Sequence, residues 1–208
     1  MNAEFALKGQ ETKASLVNVM SDVARPNWLL KLLPSSKGQE QAPVEKLYYD
    51  VLEASRQPVF YLEYEVADTF DGRFDMLCLM MSLMMARLKK ADSENKEFAQ
   101  DLFDAMFRDV DLTLREMGAG DLGVGKRVKK MSEAFLGRLT AYDKGLVEGK
   151  ANILAAAIAR NVYRREEEAD IDLRLAEQCL RLFARLEDVA DADLYAGAPI
   201  FSQLVRTA

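Results

Sequence analysis

The chain has 208 residues, of which 50% are apolar and 30% charged, and its formal net charge is −6. This is the composition of a globular protein that can bury its own core, and it excludes a disordered chain. It contains no histidine and only two cysteines, Cys78 and Cys179. Ser-His and Cys-His relays, HExxH zinc sites and Glu-x-x-His di-iron sites are therefore excluded. We expect no catalytic residue, no metal and no cofactor. The wide spacing of the cysteines indicates a reducing compartment.

The first part of the chain, residues 1–41, has a mixed composition and ends in a polar linker. We predict a partly flexible N-terminal extension over residues 1–41 and a helical domain over residues 42–208. No signal peptide is predicted, and the longest apolar run, Met76 to Ala86, is too short for the roughly 20 residues that span a bilayer. The apolar patch Trp28–Leu33 either packs on the domain or anchors the chain at a membrane surface.

Apolar residues recur at helical spacing through most of the remaining chain, which predicts an all-α fold, a single irregular bundle of about six to eight helices. Pro58–Tyr64 is predicted to be a loop or short helix, and Asp188–Ala208 to be irregular. Helices are predicted from Pro43 to about Arg56, from Thr69 or Asp71 to about Lys90, over Phe98–Met117, Lys126–Tyr142 and Gly149–Arg164, and from Asp170 or Asp172 to Leu186.

Five of the ten methionines lie between Met76 and Met85, in a segment that is apolar on all sides of a helix. Such a helix is usually central and buried. The alternative is a surface groove, because methionine side chains repack around different apolar partners.

The segment Gly118–Arg127 matches the G-x4-G-K part of a phosphate-binding loop at Gly120–Lys126. A working loop needs Ser or Thr after the lysine and a strand before it. Here Arg127 follows the lysine, and the preceding segment has a helical period. We therefore interpret Gly118, Gly120 and Gly125 as a structural elbow, in which Gly118 ends one helix in a left-handed cap and the next helix begins near Asp121 to Lys126. The alternative function is a helical small-molecule or nucleotide-binding protein that uses this elbow.

Charge is unevenly distributed around this elbow. Residues 92–121 hold nine acidic and three basic residues, and a cluster of four bases follows. Asp104 with Arg108, and Asp111 with Arg115, have the spacing of ion pairs within a helix. Asp109, Asp111 and Glu116 either meet the bases across the elbow or form a solvated face. The basic cluster suits ribosomal RNA or anionic lipid; it consists of Lys126, Arg127, Lys129 and Lys130.

Two segments, Gln57–Leu77 and Leu102–Phe135, resemble the signature blocks of the ubiquinol–cytochrome c chaperone family, which occurs in mitochondria and alphaproteobacteria. The string DVDLTLREMGAGDLGVGKRVKKM carries most of this resemblance. It implies a shared structural and binding surface with no catalytic residue. In the first block the implicated residues are Asp68, Thr69, Asp71, Gly72, Arg73, Phe74 and Asp75. In the second they are Asp104, Asp109, Asp111, Arg115, Glu116, Gly118, Gly120, Asp121, Gly125 and Lys126.

The chain departs from the family pattern at a few positions. The family has Gly-Val-Pro-Asp-Thr where this chain has Glu65 to Thr69, a histidine where Met80 stands, and an aromatic residue where Leu136 stands. These changes bear on client identity more than on fold.

The resemblance implies a non-enzymatic assembly chaperone that binds cytochrome b and assists the biogenesis of complex III. It also implies other complex III subunits, a small partner protein or the ribosome as partners, but not DNA. The expected location is cytoplasmic, with peripheral contact at the cytoplasmic face of the inner membrane as a further option. We predict a client groove at Met80, Met84 and Met85, rimmed by Arg73, Asp75 and the basic cluster; a wholly buried methionine helix is the alternative.

Overall fold

A computed structural model of the protein describes residues 42–90, 96–118 and 121–207. The predicted extension 1–41 and Gly120 lie outside the described residues, so neither the domain boundary nor the Trp28–Leu33 patch is tested. The described residues form nine helices: α1 Pro43–Ser55, α2 Pro58–Leu62, α3 Phe70–Lys90, α4 Lys96–Glu116, α5 Asp121–Glu148, α6 Ala151–Asn161, α7 Asp170–Glu187, α8 Asp191–Tyr195 and α9 Phe201–Arg206.

The predicted all-α class is confirmed, and no strand occurs in the part of the chain that the structure describes. Pro58–Tyr64 resolves into the short helix α2. The prediction for Asp188–Ala208 is wrong in part, because α8 and α9 lie there. The helix predicted to begin near Asp121 to Lys126 begins at Asp121, which places Gly125 inside α5 and not in the turn, and it continues past the predicted end at Tyr142 to Glu148. Gly125 is therefore removed from the predicted elbow.

Local sequence explains where several helices begin. Pro43 and Pro58 occupy the first turns of α1 and α2, where the missing N–H of proline costs nothing. The hydroxyl of Thr69 accepts a hydrogen bond of 3.1 Å from the N–H of Gly72 and so caps α3. At the start of α7, Asp172 accepts a 2.6 Å hydrogen bond from the N–H of Ala169.

Helix α3 is the central element of the domain. It packs against α1, α4, α5 and α7, and its residues 75–88 are all buried. Met80 and Met84 have no exposed surface, and Met85 is 7% exposed. The prediction that these three side chains line an open groove is corrected: they form the core, because α3 has neighbouring helices on every side. Burial of each methionine contributes about 1.5–3 kcal/mol.

The last helix closes onto the first. The carboxylate of Asp50, which is buried on α1, accepts hydrogen bonds of 2.6 Å from the N–H of Phe201 and 3.0 Å from that of Ser202. These N–H groups belong to the first turn of α9, where they lack partners within the helix. A charged acceptor from α1 therefore caps α9 and joins elements about 150 residues apart.

Candidate functional site

The first signature block, Gln57–Leu77, forms α2, the connection between α2 and α3, and the first turns of α3. Gly72 lies on α3 facing Ala67, and a Cβ atom built at Gly72 would lie 1.9 Å from the carbonyl oxygen of Ala67. No side chain fits there without moving the backbone. Together with the Thr69 cap, this close approach folds residues 63–69 tightly against the start of α3.

The same connection is tied to the loop between α6 and α7. The hydroxyl of Tyr163 donates a 2.5 Å hydrogen bond to the carbonyl oxygen of Tyr64, and the guanidinium of Arg174 lies 5.7 Å from the centre of the Tyr64 ring. Glu65 and Arg164 both have left-handed backbone conformations, with φ of 54° and 56°. Residues without a β-carbon adopt this conformation at least cost, so both loops are held in place by their surroundings.

Asp75 anchors this region to the core. Its side chain is fully buried and lies 2.6 Å from Arg138 on α5 and 2.7 Å from Arg164. Burial raises the pKa of Asp75, and the two guanidinium groups oppose that rise. Loss of one member of such a buried pair costs about 3–5 kcal/mol. Asp75 is thus a structural anchor and is not on the accessible rim that the sequence predicted.

A cleft of about 260 Å³, which we call the α2–α3 notch, lies beside the start of α3; it is lined by Arg56, Pro58, Tyr61, Leu62, Asp68 and Arg73. The hydroxyl of Tyr61 donates a 2.9 Å hydrogen bond to the carbonyl oxygen of Ser55, which fixes one wall. The notch therefore joins the end of α1, the whole of α2 and the start of α3.

The lining of the notch combines apolar and charged groups that face solvent. Leu62 is 79% exposed. Arg73 and Asp68 pair at 2.6 Å while more than half of each side chain stays exposed. The hydrogen bond from Arg73 lowers the pKa of Asp68. Asp71 is exposed in the first turn of α3, where its charge is favourable to the helix dipole.

The acidic residues of the second block make local contacts. Asp111 accepts a 2.6 Å hydrogen bond from Arg115, as the spacing predicted. Asp109 accepts a 2.7 Å hydrogen bond from the hydroxyl of Tyr48, which links α4 to α1. Glu116 is exposed at the end of α4. Asp109 and Asp111 therefore have partners outside the basic cluster.

The basic cluster forms an exposed face of α5, and all four of its side chains face solvent. Lys129 lies 3.9 Å from Glu133 on the same helix. Exposed pairs of this kind contribute about 0–1 kcal/mol, so the cluster contributes little to stability.

The glycine-rich connection does not have the geometry of a phosphate-binding loop. Gly118 has φ of 81°, the left-handed conformation predicted for the end of α4. From Asp121 onward the chain is helical, so Lys126 stands in the second turn of α5. A phosphate loop needs non-helical backbone N–H groups before its lysine, and residues 121–125 do not supply them.

The described ranges show neither a metal-binding cluster nor a membrane-spanning helix. They contain no group of three acidic or cysteine residues arranged to hold a metal. None of the helices within these ranges combines the length and hydropathy needed to cross a bilayer.

Sequence reasoning found Asp68 and Arg73 but missed most of the notch. Arg56, Pro58, Tyr61 and Leu62 come from the end of α1 and from α2, which was predicted only as a loop or short helix. The sequence carried one indication of an exposed apolar contact here, because Leu62 lies between Tyr61 and Glu63 in a segment too short to bury its side chain. The partners of Asp75 lie 63 and 89 residues away, and no spacing rule reaches that far.

Comparisons with known proteins agree on one family. The family model described as "Ubiquinol-cytochrome C chaperone" matches residues 62–201. The chain is 24% identical over 165 residues to a protein of Xenopus laevis named ubiquinol-cytochrome-c reductase complex assembly factor 1, covering 78% of each chain. It is 25% identical over 149 residues to the human protein of that name, of which it spans 50%. A crystal structure of the Cbp3 homolog from Brucella abortus has a TM-score of 0.67 and 37% identity, covering 75% of this chain and 86% of that one.

Proposed function

This chain belongs to the ubiquinol–cytochrome c chaperone family, and we propose from that premise that it is an assembly chaperone for complex III whose client is cytochrome b. The observation that carries the assembly role is the family match over residues 62–201, which includes the second signature segment, most of the first and part of the notch. The identity of the client, cytochrome b, is a more specific proposal than the assembly role. It rests on the resemblance and on the need of an apolar, multi-helix protein for shielding before it is assembled.

The proposed role is non-enzymatic. Both cysteines are buried, and burial raises the pKa of the Cys179 thiol to about 12 and that of Cys78 further. Neither thiol is therefore poised as a nucleophile at neutral pH. The accessible groups of the first signature block are instead those of a binding surface, an exposed leucine beside charged side chains.

The surface of the domain favours a small docking contact over a broad apolar groove. Among the residues that the structure describes, the large apolar side chains that remain exposed are scattered over several elements: Tyr49, Leu62, Leu112, Met117 and Val147. Isolated exposed residues are common on protein surfaces. Leu62 is the one that lines the α2–α3 notch. We propose that the chain acts at the cytoplasmic face of the inner membrane, where a membrane-embedded client would be held.

Deletion of the gene in its own organism tests the assembly role. We expect complex III content and ubiquinol–cytochrome c reductase activity to fall, and cytochrome oxidase content, the control, to remain. Expression of the wild-type chain should restore complex III. Unchanged complex III in the deletion strain would overturn the proposal.

Affinity purification of the tagged chain from solubilised membranes tests the client. We expect cytochrome b to copurify more strongly when complex III assembly is blocked at a later step. If other complex III subunits were recovered without cytochrome b, the assembly role would stand but the proposed client would be wrong.

Calorimetry tests the nucleotide-binding alternative. Titration with ATP and GTP in the presence of Mg²⁺ should give no saturable heat of binding; saturable heat would support that alternative.

A further inference from the structure

We propose that the α2–α3 notch is a docking site for a partner polypeptide segment that presents an aliphatic side chain beside an aspartate or glutamate. The proposal rests on the proposed function, in which the protein holds other chains, and it names the chemistry of the segment that is held. It also assigns roles to Arg56 and Leu62, which the sequence did not single out.

The size of the notch favours side chains over a free small molecule. Its volume is about 260 Å³, which is below the roughly 300–1,000 Å³ of pockets that enclose drug-sized ligands. A cleft of this size receives one or two side chains of a segment that continues across the surface.

The apolar contact is supplied by Leu62 with Pro58 and the ring of Tyr61. Leu62 is 79% exposed, the largest fraction among the exposed large apolar residues of the described chain. An aliphatic side chain placed in the notch would remove this leucine from water. Apolar anchors in clefts with polar borders carry much of the binding energy of protein interfaces.

The charged contact is supplied by Arg56. Its side chain makes no ion pair with any residue that the structure describes, while the nearby Arg73 is paired with Asp68. The lining therefore carries one unmatched positive charge, on a chain whose net charge is −6. A carboxylate on the partner would form a charge-assisted hydrogen bond with this guanidinium, and a cationic segment would be repelled.

The walls of the notch are held before any partner arrives. The hydrogen bond from Tyr61 to Ser55 fixes α2 against α1, and Gly72 fixes the 63–69 connection against α3. Docking to a preformed cleft loses less conformational freedom than docking to a mobile one.

Photo-crosslinking in the native organism tests the contact. Benzoylphenylalanine is placed at Leu62 in the full chain, and at Leu112, which is also exposed but lies outside the notch, as the control. We expect adducts at position 62 that are absent at position 112, and mass spectrometry should locate them on segments with an aliphatic residue next to Asp or Glu. Adducts only with lipid, adducts on segments without an acid, or equal labelling at both positions would overturn the proposal.

A charge swap with the crosslinked segment, made as a labelled synthetic peptide, tests the role of Arg56. Arg56→Glu should weaken peptide binding at least ~10-fold in fluorescence anisotropy, and a peptide with lysine in place of the acid should regain affinity for that variant. Arg160→Glu, at an exposed arginine on α6, is the matched control and should bind like the wild type. Circular dichroism verifies that both variants are folded. Equal affinity of Arg56→Glu and wild type would overturn the proposal.

The outcome separates this inference from the proposed function. If the strain needs the chain for complex III but the double variant Leu62→Glu with Arg56→Glu still supports complex III, the assembly role stands and the notch is not the docking site. If complex III does not depend on the chain at all, the proposed function is wrong, whether or not the peptide binds the protein in solution.

Discussion

At the scale of single residues, Glu65 carries a β-carbon in a left-handed backbone conformation. Its φ is 54°, a conformation that glycine adopts at least cost. A residue with a β-carbon loses about 1–2 kcal/mol in this conformation, and the hydrogen bond from Tyr163 to the neighbouring Tyr64 holds the connection in place. The glutamate at this position therefore destabilises the folded backbone.

We expect Glu65→Gly to stabilise the protein. Relief of the left-handed strain exceeds the roughly 0.4–1 kcal/mol that glycine costs through the unfolded chain, so the net gain is up to ~1 kcal/mol, or about 2–4 °C in melting temperature. Glu63→Gly is the control, because Glu63 has right-handed angles, and it should lower the melting temperature. A lower melting temperature for Glu65→Gly would contradict the strain argument.

At the scale of elements, helical period predicted three of the long helices closely, underestimated the length of α5, and was insufficient for the short helices. Helices α3, α4 and α7 extend over several turns, so their apolar spacing identifies them within a few residues. Helices α8 and α9 have five and six residues, too few for a period, and their contacts with α1 decide their conformation. The notch could not be predicted for a related reason, since its lining comes from three elements whose packing is tertiary.

The end of α4 gives a test of the elbow. Gly118 has φ of 81°, and no atom lies within 4 Å of the place that a Cβ atom would take, so alanine there adds only backbone strain. We expect Gly118→Ala to cost about 1–2 kcal/mol and to lower the melting temperature by several degrees. Lys126→Ala, at an exposed helical position, should leave it nearly unchanged. If Lys126→Ala is the more destabilising variant, the elbow interpretation is wrong.

The methionine helix gives a second test at this scale. Substitution of Met80, Met84 and Met85 by Ser should unfold the domain, because each buried methionine lost costs about 2–5 kcal/mol and a domain has only about 5–15 kcal/mol in total. Met117→Ser, at a methionine that is 60% exposed, is the control and should melt like the wild type. A triple variant that keeps its helical circular dichroism would show that α3 is not the core.

At the scale of the whole molecule, the two cysteines report on the integrity of the core. Cys78 lies on α3 and Cys179 on α7, which pack against each other, and both side chains are fully buried. Their raised pKa values keep both thiols protonated at pH 8, and burial denies access to reagents. Neither thiol of the folded domain is therefore accessible to reagents in solution.

We expect native protein at pH 8 to resist labelling by Ellman's reagent, and protein in guanidinium chloride to release two equivalents per chain. Labelling of the native protein should be slow and should follow the global unfolding equilibrium as denaturant is added. Rapid labelling of one thiol without denaturant would indicate that part of the core opens independently. Cys179→Ser provides the assignment, since only Cys78 then remains.

The cap that Asp50 provides to α9 has a consequence for the order in which the protein is made. Synthesis proceeds from the N-terminus, so α1 leaves the ribosome long before residues 201 and 202, whose N–H groups donate to Asp50. During that interval this carboxylate has to remain hydrated, which delays the final packing of α1. The fold therefore closes only after residues 201 and 202 have left the ribosome, and a nascent chain stopped before α9 would present an open face of α1 to proteases.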